Sequence, residues 1–132
     1  MKRNKYKNSS FMIDGQKWDS KKEYNRWLVL LDARKDGIIS ELERQVKYEL
    51  VPAVKEQYIE HLKTKDKIKE RVVQHSISYT CDFRYKKGDE IVVEDVKASP
   101  KLLPKEFVLK EKLMFALKGV RIRKIFSANE SV

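Results

Sequence analysis

Apolar residues recur at two spacings along the chain, and each change of spacing marks a new element. Tyr24, Trp27, Leu28 and Leu31 fall at i, i+3, i+4 and i+7, which gathers them on one helix face; Asp19 or Ser20 is placed to cap the start and Gly37 to stop the run. From Ile38 to Val51 the period drops to two, with Leu42, Val46, Tyr48 and Leu50 set between Gln45, Lys47 and Glu49. That alternation predicts a strand ending at Pro52, its apolar face broken by Arg44. Residues 53–70 carry Lys, Glu and Asp without a clear apolar stripe and are expected to form an exposed excursion or a short helix. Val72 to Tyr85 and Ile91 to Lys97 both alternate and are rich in β-branched and aromatic residues. Lys87-Gly88-Asp89 between them supplies turn chemistry, so a hairpin is predicted. Beyond Pro100 and Pro104, Phe107, Leu109, Leu113, Met114 and Leu117 form a second helical stripe ending near Gly119, and Val120 to Phe126 reads as a last strand. Asp14-Gly15 reads as a turn ahead of the first helix.

The order helix, strand, hairpin, helix, strand predicts an α/β fold, one domain with a central mixed β-sheet flanked by helices. A chain of 132 residues buries roughly two thirds of its unfolded surface in such a domain, enough for a core without metal or disulfide staples. The domain is expected over residues 11–126, after a flexible basic arm at 1–10 and before a C-terminal tail at 127–132. The arm, mostly Lys, Arg, Asn and Ser, has too little apolar surface to order itself.

Charge narrows the partner. Thirty Lys and Arg against twenty Asp and Glu give a net charge of +10, a field that attracts polyanions, nucleic acid first among them. Ribosomal and membrane-surface proteins share such an excess, so specificity has to come from elsewhere. Cys81 is the only cysteine, which rules out an intramolecular disulfide and a zinc-finger cysteine set and points to the reducing cytoplasm. The longest apolar run, Trp27 to Leu31, is far short of the ~20 residues of a membrane span, and no apolar signal region follows the basic start. His61 and His75 lack a paired metal-ligand spacing, Trp18 and Trp27 read as core anchors, and no Gly-rich phosphate loop calls for a nucleotide cofactor.

The candidate chemistry sits in the hairpin. Asp95 and Lys97 are two residues apart on a strand and project from one face. Asp82 lies on the partner strand, where antiparallel pairing can bring it near Asp95, although sequence leaves the register open. Carboxylates ~4 Å apart repel by about 4 kcal/mol at an effective dielectric of 20, so one must protonate or a cation must lie between them. Mg²⁺, or Mn²⁺ in its place, suits oxygen ligands and activates water for attack on a phosphodiester, with Lys97 orienting the water or stabilising charge on the phosphate. An Asp-x-Lys triplet in a lysine-rich chain also fits a solvated ion pair. The context favours more, because Glu94, Asp95 and Lys97 follow abruptly on Ile91-Val92-Val93, and charge at the end of an apolar strand needs a reason.

Tyr79-Thr80-Cys81-Asp82-Phe83 and Val92-Val93-Glu94-Asp95-Val96-Lys97 resemble the Asp and (Asp/Glu)-x-Lys motifs of the PD-(D/E)XK nuclease superfamily. Within it, Asp14-Gly15, Asp19-Ser20-Lys21-Lys22-Glu23, Gly37-Ile38-Ile39 and Leu42-Glu43-Arg44-Gln45 are similar to a phage-encoded group related to Holliday-junction resolvases, and the likeness runs from about Tyr6 to Phe126. The resemblance implies a restriction-endonuclease-like fold and a metal-dependent DNA endonuclease acting on branched DNA, in the host cytoplasm if phage-encoded. Flaps, ends or other duplexes are the alternative substrates, and a nucleic-acid-binding protein without catalysis the alternative class. It also implies that Glu23 on the first helix joins Asp82 and Asp95 at the metal and that the carbonyl of Val96 contributes. Ser20-x-x-Glu23 is equally a capping box. Glu94, on the opposite strand face, is the weaker acid candidate. Lys21, Lys22, Gln45, Lys110, Arg121 and Arg123 are candidate DNA contacts. A symmetric junction would call for a homodimer.

Overall fold

The computed structural model describes residues 10–13 and 15–132; Asp14 of the expected turn and residues 1–9 of the expected arm lie outside them. The chain opens with a small antiparallel pair, β1 (Phe11–Ile13) and β2 (Gln16–Trp18), joined through Gly15, whose positive φ of 77° suits a residue without Cβ. Helix α1 (Lys21–Lys35) follows, its first turn capped by Ser20, whose hydroxyl accepts from the Glu23 N–H at 3.1 Å. Strand β3 (Ser40–Val51) then matches the predicted alternation and stops before Pro52.

Residues 53–70 depart from expectation. They are exposed, as expected, but form no helix and are regular: β4 (Val54–His61) and β5 (Asp66–Gln74) make an antiparallel hairpin, a two-stranded sheet of its own. The alternation from Val72 to Tyr85 is therefore two strands, broken at His75-Ser76 between β5 and β6 (Ile77–Lys87). β6 turns through Gly88-Asp89 into β7 (Glu90–Val96), as predicted. Helix α2 (Lys105–Lys118) starts after Pro104 and ends on Gly119 in the left-handed conformation (φ 67°), leading into β8 (Ile122–Ile125).

The main sheet has the order β3-β6-β7-β8, antiparallel except for β8, which runs parallel to β7. The described residues form a single α/β domain with a mixed sheet and two helices. Two apolar clusters hold it. One gathers Trp18, Leu30, Ala33, Ile39, Phe83 and Tyr85 under α1; the other gathers Leu50, Tyr79, Cys81, Val93, Phe107 and Met114 under α2. On β7 the split follows the pleat, Val92 and Val96 joining the α1 cluster and Val93 the α2 cluster.

On β3 and β6 the split does not follow the pleat. Residues of one parity serve both cores: Leu42, Phe83 and Tyr85 on the α1 side, Val46, Tyr48, Tyr79 and Cys81 on the α2 side. The β3–β6 ribbon must swing from one core to the other between Arg44 and Val46. Gln45 lies at that point with φ 53°, a conformation that costs a non-glycine residue about 1–2 kcal/mol. The swing carries β6 away from β7, and Asp82 is where the two strands part.

The buried side of α1 is also not the predicted stripe. Glu23, Arg26, Leu30 and Ala33 are buried, Tyr24 and Trp27 are half-buried on its flank, and Leu28 is exposed. On α2, Phe107 and Met114 are buried and Leu113 partly so, whereas Leu109 and Leu117 face outward. Residues 127–132, expected as a tail, are tied to the domain: Arg26 donates to the carbonyls of Ala128 (3.1 Å) and Glu130, Arg123 to that of Ser131, and Lys87 to that of Val132 (2.8 Å).

Candidate active site

The β6–β7 ladder runs from Lys87↔Glu90 to Phe83↔Glu94 and ends there. One step further, the Asp82 side chain supplies the acceptor that the backbone no longer offers, its Oδ2 taking the Val96 N–H at 2.8 Å. Cross-strand neighbours share a face, so Asp82 and Asp95 stand side by side on the α2 face of the sheet. Tyr79 donates its hydroxyl to Asp95 Oδ2 at 2.5 Å. Lys97 follows β7, its N–H bound to the Ile125 carbonyl at 2.8 Å, its ammonium 3.4 Å from Asp95 Oδ1 and 4.1 Å from the centre of the Phe107 ring. The strand fork thus places two acids and a lysine together, the group expected from sequence.

Glu23 plays half of the capping role. Its N–H binds Ser20, but its carboxylate turns toward the sheet, where Oε1 accepts from Gln45 Nε2 at 3.1 Å and lies 3.7 Å from Arg44 Nη2. It is buried behind Gln45, close enough to raise the pKa of Asp82.

Burial and like charge set the protonation of this group. Asp82 is pushed up to about 9, first by burial, then by the charges of Asp95 and Glu23, against which the Val96 N–H acts only weakly. Glu23 is also raised, by burial and then Asp19, tempered by Arg44 and Gln45. At neutral pH the acid pair therefore keeps a proton. Burial, reinforced by Asp95, pushes the Tyr79 hydroxyl upward, so it remains a donor. Among the described residues no three acid, His or Cys side chains are close enough to form a ready ligand sphere. The chemistry of the donors nonetheless fits a hard divalent cation: the side chains are all carboxylates, Asp82 and Asp95 adjoin, and the retained proton marks where positive charge is wanted.

The group opens into a cleft of about 410 Å³ whose walls include Gln45, Thr80, Asp82, Asp95, Lys97 and Lys110. Of the candidate contacts, Gln45 and Lys110 reach it, Lys110 pairing with Glu106 at 3.0 Å on the same helix. Lys22 is near, its ammonium 3.4 Å from the Lys97 carbonyl, and Lys21 is exposed at the start of α1. Arg121 and Arg123 do not line this cleft. Arg121 precedes β8 and lies over the Phe115 ring at 4.4 Å, in a separate hollow. Arg123 turns to the opposite face of the sheet, 3.3 Å from Glu94. β8 begins at Ile122, which leaves Arg121 outside the strand, and Arg123 is paired with Glu94.

Glu94 itself is fully buried on the α1 face, where Arg26 grips it through two bonds of 2.8 and 2.7 Å and Tyr85 adds its hydroxyl. Three participants are not among the site residues that the sequence suggests: Tyr79, Arg26 and Arg44, the last marked there only as a break in the apolar face of β3. Arg44 stacks on Trp18 at 3.4 Å and binds the Lys17 carbonyl at 3.2 Å, so the gap in the apolar face is filled by a guanidinium on an indole.

Fold and site together define a small basic α/β protein with an acid-and-lysine cleft at a strand fork. The chain belongs to the family described as protein of unknown function (DUF1064), whose model matches residues 3–129. No curated protein and no solved structure matches it.

Proposed function

We propose that the protein is a metal-dependent DNA endonuclease that hydrolyses phosphodiesters in branched DNA such as four-way junctions. The observation that carries this reading is the buried acid pair at the strand fork, Asp82 beside Asp95, with Lys97 held against Asp95 in an open cleft on a protein of net charge +10. The motif resemblance supplies the substrate class.

In this reading Asp82 and Asp95 would hold Mg²⁺, or Mn²⁺ as a substitute, with Glu23 and the Val96 carbonyl as further ligands. A divalent ion held there would supply Lewis-acid stabilisation of the phosphate and would activate water for the attack. Tyr79 fixes the rotamer of Asp95 through its hydroxyl bond. Lys97 presents a cation to the phosphate as charge builds on it, its ammonium held over the Phe107 ring. Lys110, Lys21 and Lys22 line the approach as non-specific phosphate contacts. Paired incision of a symmetric junction requires two copies, so a homodimer on DNA belongs to the proposal. No helix of the described residues is long and apolar enough to cross a membrane, and a reducing cytoplasm suits the buried Cys81 thiol.

The test is cleavage of a labelled four-way junction, with linear and flap DNA as comparisons, in Mg²⁺ and in excess chelator. Asp82→Ala, Asp95→Ala and Lys97→Ala are each expected to lower cleavage at least 100-fold while the protein stays folded. Full activity in all three, or binding without cleavage of any DNA by the wild type, overturns the reading.

A further inference from the structure

The β4–β5 hairpin belongs to neither apolar cluster. Nearly all of its residues are exposed, Glu60 and Lys69 alone being partly covered, and among the described residues it has no third strand. A lone two-stranded ribbon is at best marginally stable in water, so its retention asks for a reason outside the core. It is nevertheless well formed. Eight register pairs join its strands, and the Leu62 N–H closes the end loop on the Lys65 carbonyl at 3.0 Å.

The charges of the ribbon are sorted. Three of its acids have a cationic partner within it, Glu56 with Arg71, Glu60 with Lys69 and Glu70 with Lys55 at 3.6 Å, and Asp66 meets the His61 ring at 2.9 Å. Three lysines are left over, Lys63, Lys65 and Lys67, and all three are exposed at the tip. None has an acidic partner among the described residues. A charge pattern that neutralises the shaft and leaves the end cationic suits a polyanion met at the tip.

Size fits the same partner. Eight residues of extended strand reach about 27 Å, and two strands about 4.8 Å apart form a ribbon that the major groove of B-DNA, about 12 Å wide, admits. The ribbon is inserted between β3 and β6, the strands that carry Gln45 and Asp82 into the cleft. We infer that β4–β5 is a DNA-binding arm whose Lys63, Lys65 and Lys67 engage the phosphates of duplex DNA beyond the cleavage point. This rests on the nuclease reading for the identity of the polyanion.

Binding measured in chelator separates the arm from catalysis. Fluorescence anisotropy of a labelled junction and a plain duplex, from about 50 to 200 mM salt, gives the slope of log K against log salt. The triple variant Lys63→Ala/Lys65→Ala/Lys67→Ala is expected to lose about 2.7 from that slope, ~0.9 for each phosphate contact, on both DNAs. Lys35→Ala/Lys112→Ala/Lys118→Ala removes the same net charge elsewhere and is expected to change the slope by less than half as much. A tip variant with the wild-type slope overturns the inference, and so does an equal loss in the two variants, which would reduce the effect to net charge. Sedimentation of the same samples addresses a second copy as the occupant, given the exposed Ile59, Ile68 and Val72. A tip-dependent change in mass with an unchanged DNA slope also overturns it. Parallel cleavage in Mg²⁺ judges the nuclease reading separately: its failure would leave the slope comparison standing on its own.

Discussion

Glu94 and Asp95 are consecutive residues of β7, both buried, and they are treated in opposite ways. On the α1 face Glu94 is compensated completely, with a bidentate Arg26, the Tyr85 hydroxyl and Arg123 at 3.3 Å. On the α2 face Asp95 has one lysine at 3.4 Å and one tyrosine, and shares its surroundings with two further acids. The first arrangement fixes the strand. The second leaves a local excess of negative charge that the protein by itself relieves only by keeping a proton on Asp82. A buried charge that is fully paired is structural; a buried charge left among its own kind is a reason to look for a ligand.

The largest expected effect tests the structural side. Arg26→Ala leaves Glu94 buried without its main partner, and both side chains of that pair are 0 % exposed. Equilibrium urea unfolding is expected to show a loss of about 3–5 kcal/mol, together with release of the 127–132 segment that Arg26 pins through two carbonyls. A loss below about 1 kcal/mol would mean that Glu94 is not held as described.

The next tests the other face and has the opposite sign. The Asp82 pKa is raised in the folded protein, to about 9 from 3.8, so the folded state binds more protons between those values and the stability linked to Asp82 falls as pH rises across that window. Asp82→Asn removes the titration. In chelator it is expected to equal or exceed the wild type in stability, by ~1–2 kcal/mol near pH 8 and by little near pH 4, while losing cleavage. The check is thermal unfolding of both proteins across this range; a gap that narrows as pH rises would contradict the origin assigned to the shift.

A smaller change is expected at the ribbon's crossing point. Gln45→Gly relieves a positive φ but loses the bond to Glu23, two effects of about 1 kcal/mol each and opposite sign. Net stability in urea is expected within about 1 kcal/mol of the wild type. A loss of 3 kcal/mol or more would show that Gln45 does more than hold Glu23.

How legible the molecule was follows the same division. The β6–β7 hairpin and its Asp82, Asp95 and Lys97 stood out because apolar β-branched residues end abruptly in charge, and alternation is a dependable guide on a strand with a buried face. Apolar periodicity misplaces the buried side of α1 because the N-terminal half of the helix buries Glu23 and Arg26, and a hydrophobic stripe does not register an ion pair. β4–β5 was missed for the converse reason: a free-standing ribbon has no buried face, so charge falls on both sides and no period forms. Arg123 is a candidate DNA contact by sequence, and its partner Glu94 becomes visible only once the parallel register of β8 is known.

The most direct measurement sets the two adjacent carboxylates against each other: cleavage of a labelled four-way junction in Mg²⁺ by Asp95→Asn and by Glu94→Gln, at a temperature where circular dichroism shows both folded. The expected result is cleavage abolished in Asp95→Asn and retained in Glu94→Gln despite its lower stability. Cleavage retained in Asp95→Asn, or lost equally in both folded variants, would contradict the assignment of catalysis to the α2 face.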